Sequence, residues 1–155
     1  MRQCIDRVSA AEHFTVTPDG VEALVRIGRG DMRRVLNVLQ STWLAYDVIT
    51  KESIYEATGQ PAPEDITRML EFMSSLSLRD AVAKIEEIKI AKGLALQDII
   101  AELLPFVLLM RIDKDAKMHI VSKLADVEAN VAAGSSEKIQ LGALVSAFQV
   151  LRLQA

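Results

Sequence analysis

Between Ile66 and Leu151 the apolar residues return every three or four positions through five consecutive segments, and no stretch of similar length alternates with a period of two. Residues spaced this way share one face of a helix, so the pattern predicts an all-α fold. Ile66, Met69, Leu70 and Met73 make the first face, and Leu78, Ala81, Val82, Ile85 and Ile88 the second, with Ser74-Ser75-Leu76-Ser77 between them. After a stop at Lys92-Gly93 comes the stripe Leu96, Ile99, Ile100, Leu103, Leu104, Val107 and Leu108, broad enough to be buried from more than one side. Pro105 within it predicts a kink. Val121, Leu124, Val127 and Val131 form the fourth face, and Ile139, Leu141, Val145, Phe148 and Leu151 the fifth, beyond the break at residues 132–136. Five amphipathic helices joined by short connections read as a bundle.

Upstream the pattern is shorter-ranged. Ile5, Val8 and Ala11 lie on a helix ending near His13, and Phe14-Thr15-Val16-Thr17 is extended in character, although no strand pattern is expected to persist. Thr17 and Pro18 suit the N-cap and first position of a second helix, carrying Ala23, Leu24 and Ile27 and ending at Gly28-Arg29-Gly30, where glycine takes the left-handed conformation that stops a helix. Asp31 can cap a third helix bearing Val35, Leu36, Val38 and Leu39 and running toward Trp43 and Tyr46. Thr50 offers an N-cap for a short fourth helix, without a full capping box because Ser53 stands where Glu or Gln is usual. Two prolines and a glycine in Gly59-Gln60-Pro61-Ala62-Pro63 mark the domain boundary, dividing the chain into 1–60 and 61–155.

The 50% hydrophobic content is carried by Leu, Ile, Val, Ala and Met, with only 5% aromatics, which again favours helix. A net charge of -3 provides no global attraction for nucleic acid, so any phosphate contact has to be local. Cys4 is the only cysteine, which excludes an internal disulfide and a cysteine-based zinc site. Asp98 and Glu102 interrupt the richest apolar stretch, and no membrane segment is expected. Residues 1–7 have no apolar run of the secretory type and read as the inside of a helix, so the expectation is a piece of a longer product.

The densest charge feature is Arg26, Arg29, Arg33 and Arg34, opposed only by Asp31 and flanking the start of the third helix. A helix N-terminus presents free N–H groups and a partial positive charge, and a guanidinium fork can hold two phosphate oxygens, so this corner suits phosphate. The plainer alternative is four solvated arginines with Asp31 as an ordinary cap. Arg33 and Arg34 point about 100° apart on a helix and cannot serve one ligand in the same way.

The string Gly30-Asp31-Met32-Arg33-Arg34-Val35-Leu36-Asn37-Val38-Leu39-Gln40-Ser41 resembles the lid-domain motif of replication factor C small subunits, in the AAA+ family. Thr58 to Pro63 with Asp65-Ile66, Lys92 to Ile99, and Ser136 to Leu141 with Phe148-Gln149 resemble strings of the same subunits at the lid end and in the collar domain. The resemblance implies a small helical AAA+ lid domain followed by a five-helix collar bundle. It makes Arg33 the sensor 2 arginine that reaches the terminal phosphates of ATP, supported by Gly30, Asp31, Met32 and Arg34. It further implies a nuclear clamp loader, a hetero-pentamer of replication factor C subunits that places a sliding clamp on primer-template DNA in replication and repair. Collar packing would then fall to Ile139, Leu141, Val145, Phe148 and Leu151 on the last helix, whose stripe, like Leu96–Leu108, exceeds what a lone bundle readily hides.

The sequence contains no Gly-x-x-x-x-Gly-Lys-Ser/Thr loop, so ATP and magnesium are expected only with the full-length relative and no catalytic residue is assigned. His13 and His119 have no partner at metal-ligand or triad spacing, the methionines read as core, and Trp43 reads more as core than as an interface anchor. Two other functions fit the same residues. One is a stand-alone helical interaction adaptor; the other is a small helical DNA-binding domain, because helix, glycine turn and basic helix superficially match a DNA reader.

Overall fold

A computed structural model describes residues 1–153, with side chains through Gln149. The chain separates into two compact units, Met1–Gly59 and the residues from Gln60 onward. The first contains α1 (Arg2–Glu12), β1 (Thr15–Val16), α2 (Pro18–Gly28), α3 (Met32–Ala45), β2 (Val48–Ile49) and α4 (Lys51–Thr58). The second contains α5 (Pro63–Ser75), α6 (Leu78–Lys92), α7 (Leu96–Leu109), α8 (Lys114–Ala132) and α9 (Glu137–Leu153).

In the first unit α2, α3 and α4 pack on one another around Leu24, Ile27, Val35, Leu39, Ile49 and Ile54. The expectation of no strand is corrected. Thr15 and Val16 pair in parallel with Val48 and Ile49, a ladder too short to leave an alternating pattern and formed between distant segments. Thr17 ties this pair to α2: its N–H donates to the Ile49 carbonyl at 2.9 Å, and its hydroxyl donates to the same oxygen at 3.1 Å while accepting from the Gly20 N–H at 3.3 Å. A Cβ on Gly20 would lie 2.7 Å from that carbonyl.

Two local expectations change. The α2 stop uses Arg29, at φ 47°, as its left-handed cap before Gly30 at φ 93°, while Gly28 remains helical for a different reason. A Cβ on Gly28 would sit 2.2 Å from Val35 Cγ2, so the glycine exists to let α3 approach α2. At α4 the capping box is complete: the Ser53 hydroxyl accepts from the Thr50 N–H at 2.8 Å, and the Thr50 side chain accepts from the Ser53 N–H at 3.2 Å. A serine hydroxyl is short but can both accept and donate, which suffices for the return bond.

In the second unit α9 packs against α8, α5 and α6, and α7 against α8 and α5. Met69, Met73, Ile85, Ile99, Leu103, Val107 and Leu124 line the core. Helix α7 continues through Pro105. Polar contacts fix the α5, α6 and α9 register: Lys89 Nζ donates to Glu137 at 2.6 Å, Lys92 Nζ to both Asp65 oxygens at 2.6 Å, and Gln149 Nε2 to the Met73 and Leu76 carbonyls at 2.7 and 3.2 Å.

Burial removes three of the five residues expected at an interface on α9. Leu141, Val145 and Phe148 are 0% exposed in the unit's own core, so they have no surface to offer a partner, whereas Ile139 is 69% exposed. Leu151 lies outside the residues whose side chains are described. Exposed apolar side chains cluster on α7, at Leu104, Leu108 and Leu109, while Leu78 and Ile90 of α6 and Met118 of α8 are exposed singly.

Gly28→Ala should destabilise the chain by about 2 kcal/mol through overpacking, and Gly28→Ala with Val35→Ala should cost less than the sum of the single changes. Urea unfolding of the four proteins checks the cycle. Phe148→Ala should cost about 4 kcal/mol and Ile139→Ala less than about 0.5 kcal/mol in the same assay.

Candidate functional site

The arginine-rich corner is built where α2 hands the chain to α3. Gly30 takes φ 93° with no atom within 4 Å of where its Cβ would be, so glycine serves the backbone turn and not a close contact. Asp31 then enters extended, its N–H donating to the Gly28 carbonyl at 2.8 Å. Oδ1 of Asp31 accepts from the Arg33 N–H at 2.8 Å and the Arg34 N–H at 3.3 Å.

This cap alters the expected chemistry. The corner was expected to offer free helix amides to phosphate, but two of them are already bonded to a carboxylate, which also cancels much of the partial positive charge there. The groups this corner has left to offer an anion are therefore its guanidinium groups. Val35, Leu39 and Thr42 form the buried face of α3 and Met32 is half-buried, leaving Arg33 and Arg34 exposed on the outer face. Arg33 shares its side of the helix with Asn37 and Gln40, both exposed, and Arg34 points about 100° away. Arg26 and Arg29 are exposed as well. The four arginines are thus close in the chain but displayed on the two sides of one turn.

His13 is the left-handed C-cap of α1 and His119 is exposed on α8; among the described residues no group of His, Cys, Asp and Glu could hold a metal ion. Trp43 is not core. It is 38% exposed and stacks on Phe14 at 5.3 Å between ring centroids, a pair of residues too far apart in sequence for helical spacing to reveal. Among the described residues no helix is long and apolar enough to cross a membrane.

Residues 61–147 match the family described as the replication factor C C-terminal domain. The chain belongs to the replication factor C family. It is 41% identical over 148 residues to replication factor C subunit 5 of Mus musculus, covering 96% of this chain and 44% of that relative. Replication factor C subunit 3 of Schizosaccharomyces pombe is 37% identical over 149 residues, again 96% of this chain and 44% of the relative. The replication factor C small subunit of Methanocella arvoryzae is 32% identical over 146 residues, 94% of this chain and 45% of the relative. The chain thus spans less than half the length of these relatives. The family match falls in the second unit; Arg33 lies outside it, in the stretch where the likeness to whole replication factor C subunits carries the comparison.

Asp31→Ala should cost about 1 kcal/mol in urea unfolding, and Asp31→Ser only a few tenths, because serine still caps the helix. Equal losses for both would show that the carboxylate charge, and not the cap, is what α3 uses.

Proposed function

We propose that this chain provides the lid and collar of a replication factor C subunit working in a nuclear clamp loader that places a sliding clamp on primer-template DNA at the expense of ATP. The observation that carries this reading is the joint presence of the matched collar unit and, on the preceding helical unit, an exposed arginine set by a Gly-Asp-Met-Arg turn.

In this reading Arg33 contacts the terminal phosphates of ATP bound, with magnesium, by another domain. Its guanidinium is the right group for the task because the α3 amides are occupied by Asp31, so the response to a phosphate depends on a side chain that can extend across a domain boundary. Gly30, Asp31 and Met32 hold the turn that aims it, and Arg34, on the neighbouring side of the helix, faces solvent or another chain. The collar contact with other replication factor C subunits falls on the exposed α7 residues Leu104, Leu108 and Leu109, whose burial in a partner would remove the apolar surface left over by the bundle.

The test is co-expression with the remaining loader subunits. Arg33→Ala should leave assembly intact and reduce ATP-dependent clamp loading by roughly 100-fold, the scale of a lost charge contact in phosphoryl chemistry. Leu104→Ser with Leu108→Ser should instead release the chain from the complex while its helical circular dichroism is retained. A wild-type chain that stays monomeric with every other loader subunit present, or an Arg33→Ala loader with full activity, would overturn the reading.

A further inference from the structure

The last turn of α6 carries two lysines that pair with acids at the starts of two other helices. Lys89 reaches Glu137 in the first turn of α9, and Lys92 reaches Asp65 in the first turn of α5. Their access differs sharply. The Lys89 side chain is 10% exposed, whereas that of Lys92 is 50% exposed and its partner Asp65 only 6%. A reachable amine therefore neutralises a carboxylate that has almost no water of its own. At the α5 start the N-cap, Ala62, supplies no side-chain acceptor of its own.

We propose that Lys92 is a modification site at which N-acylation by an acyl thioester opens a latch between α5 and α6. Nζ leaves Asp65 and gives its proton to solvent, and its lone pair then attacks the thioester carbonyl carbon. The N–C bond forms, the C–S bond breaks, and the sulfur leaves as a thiol carrying the second proton lost from nitrogen. The amide product is neutral with a single N–H, so it cannot restore the two-oxygen contact, and Asp65 is left as a buried carboxylate without its counter-charge. Lys84 and Lys123 show the contrast, because each pairs within its own helix with an exposed acid whose charge water can solvate. The inference is independent of clamp loading.

The full chain is incubated with acetyl-coenzyme A at mildly alkaline pH, and acetylation is mapped by mass spectrometry over time. Lys92 should acetylate while Lys89 stays protected. Hydrogen exchange at the Asp65 and Ile66 amides, both bonded to the Ala62 carbonyl, should then accelerate by about 10-fold or more. Lys92→Gln should reproduce this and lower Tm by roughly 5 °C, whereas Lys92→Arg and Lys84→Gln should match the unmodified chain. In an Asp65→Asn background Lys92→Gln should add nothing. If Lys92→Gln fails to fold, a folded Asp65→Asn/Lys92→Gln protein supports the latch and an unfolded one overturns it. Lys89 reacting before Lys92, or Lys92→Gln behaving like Lys84→Gln, would also overturn it.

Discussion

The second unit depends on α9 being gripped from three sides. Phe148, Val145 and Leu141 lie between α8, α5 and α6, and each is fully buried. Burying side chains of this size supplies roughly 1.5–3 kcal/mol each, which is large against the margin of a small helical unit. Apolar contact alone tolerates sliding of one helix past another, however, and the polar contacts remove that freedom. Glu137 near the start of α9 is held by Lys89, and Gln149 farther along spans two carbonyls at the end of α5, so α9 is pinned at both ends of its buried face. Lysines at a helix C-terminus facing acids at helix N-termini also oppose the unlike ends of three helix dipoles.

Most of the architecture was legible because helical spacing is a local signal. The five faces from Ile66 onward and the Thr17, Thr50 and Asp31 caps all follow from residues within a few positions of one another. What escaped is non-local. The Thr15–Val16 pairing with Val48–Ile49, the stack of Phe14 on Trp43 and the choice of which apolar stripe stays outside depend on segments that meet only on folding. The α9 stripe illustrates this best: Leu141 and Phe148 read as surplus apolar surface because a stripe does not announce how many neighbours it has. Helix α7, the more apolar of the two in sequence, keeps Leu104, Leu108 and Leu109 exposed.

The candidate site divides in the same way. That an arginine pair opens α3 beneath an aspartate cap is plain from Gly30-Asp31-Met32-Arg33-Arg34, and so is the divergence of the two side chains. That the cap would occupy the amides of Arg33 and Arg34, and so withdraw the helix end from anion binding, required the geometry of one carboxylate oxygen at 2.8 and 3.3 Å. Gly28 is a further case. Its place next to a helix stop suggests a backbone role, yet its function is to give Val35 room and thereby set the crossing of α2 and α3 directly behind Arg33.

The cap has a kinetic consequence. Helix amides are rigid and would clasp an oxyanion with no loss of side-chain freedom, favouring long residence. With Asp31 occupying them, a bound anion is met by a long arginine stem that must freeze about 2 kcal/mol of rotamer entropy on each engagement. Such a contact forms and breaks quickly and weakens as ionic strength rises. Under the proposed function, a corner built in this way would register the arrival and departure of a charge many times over without holding on to what it touches.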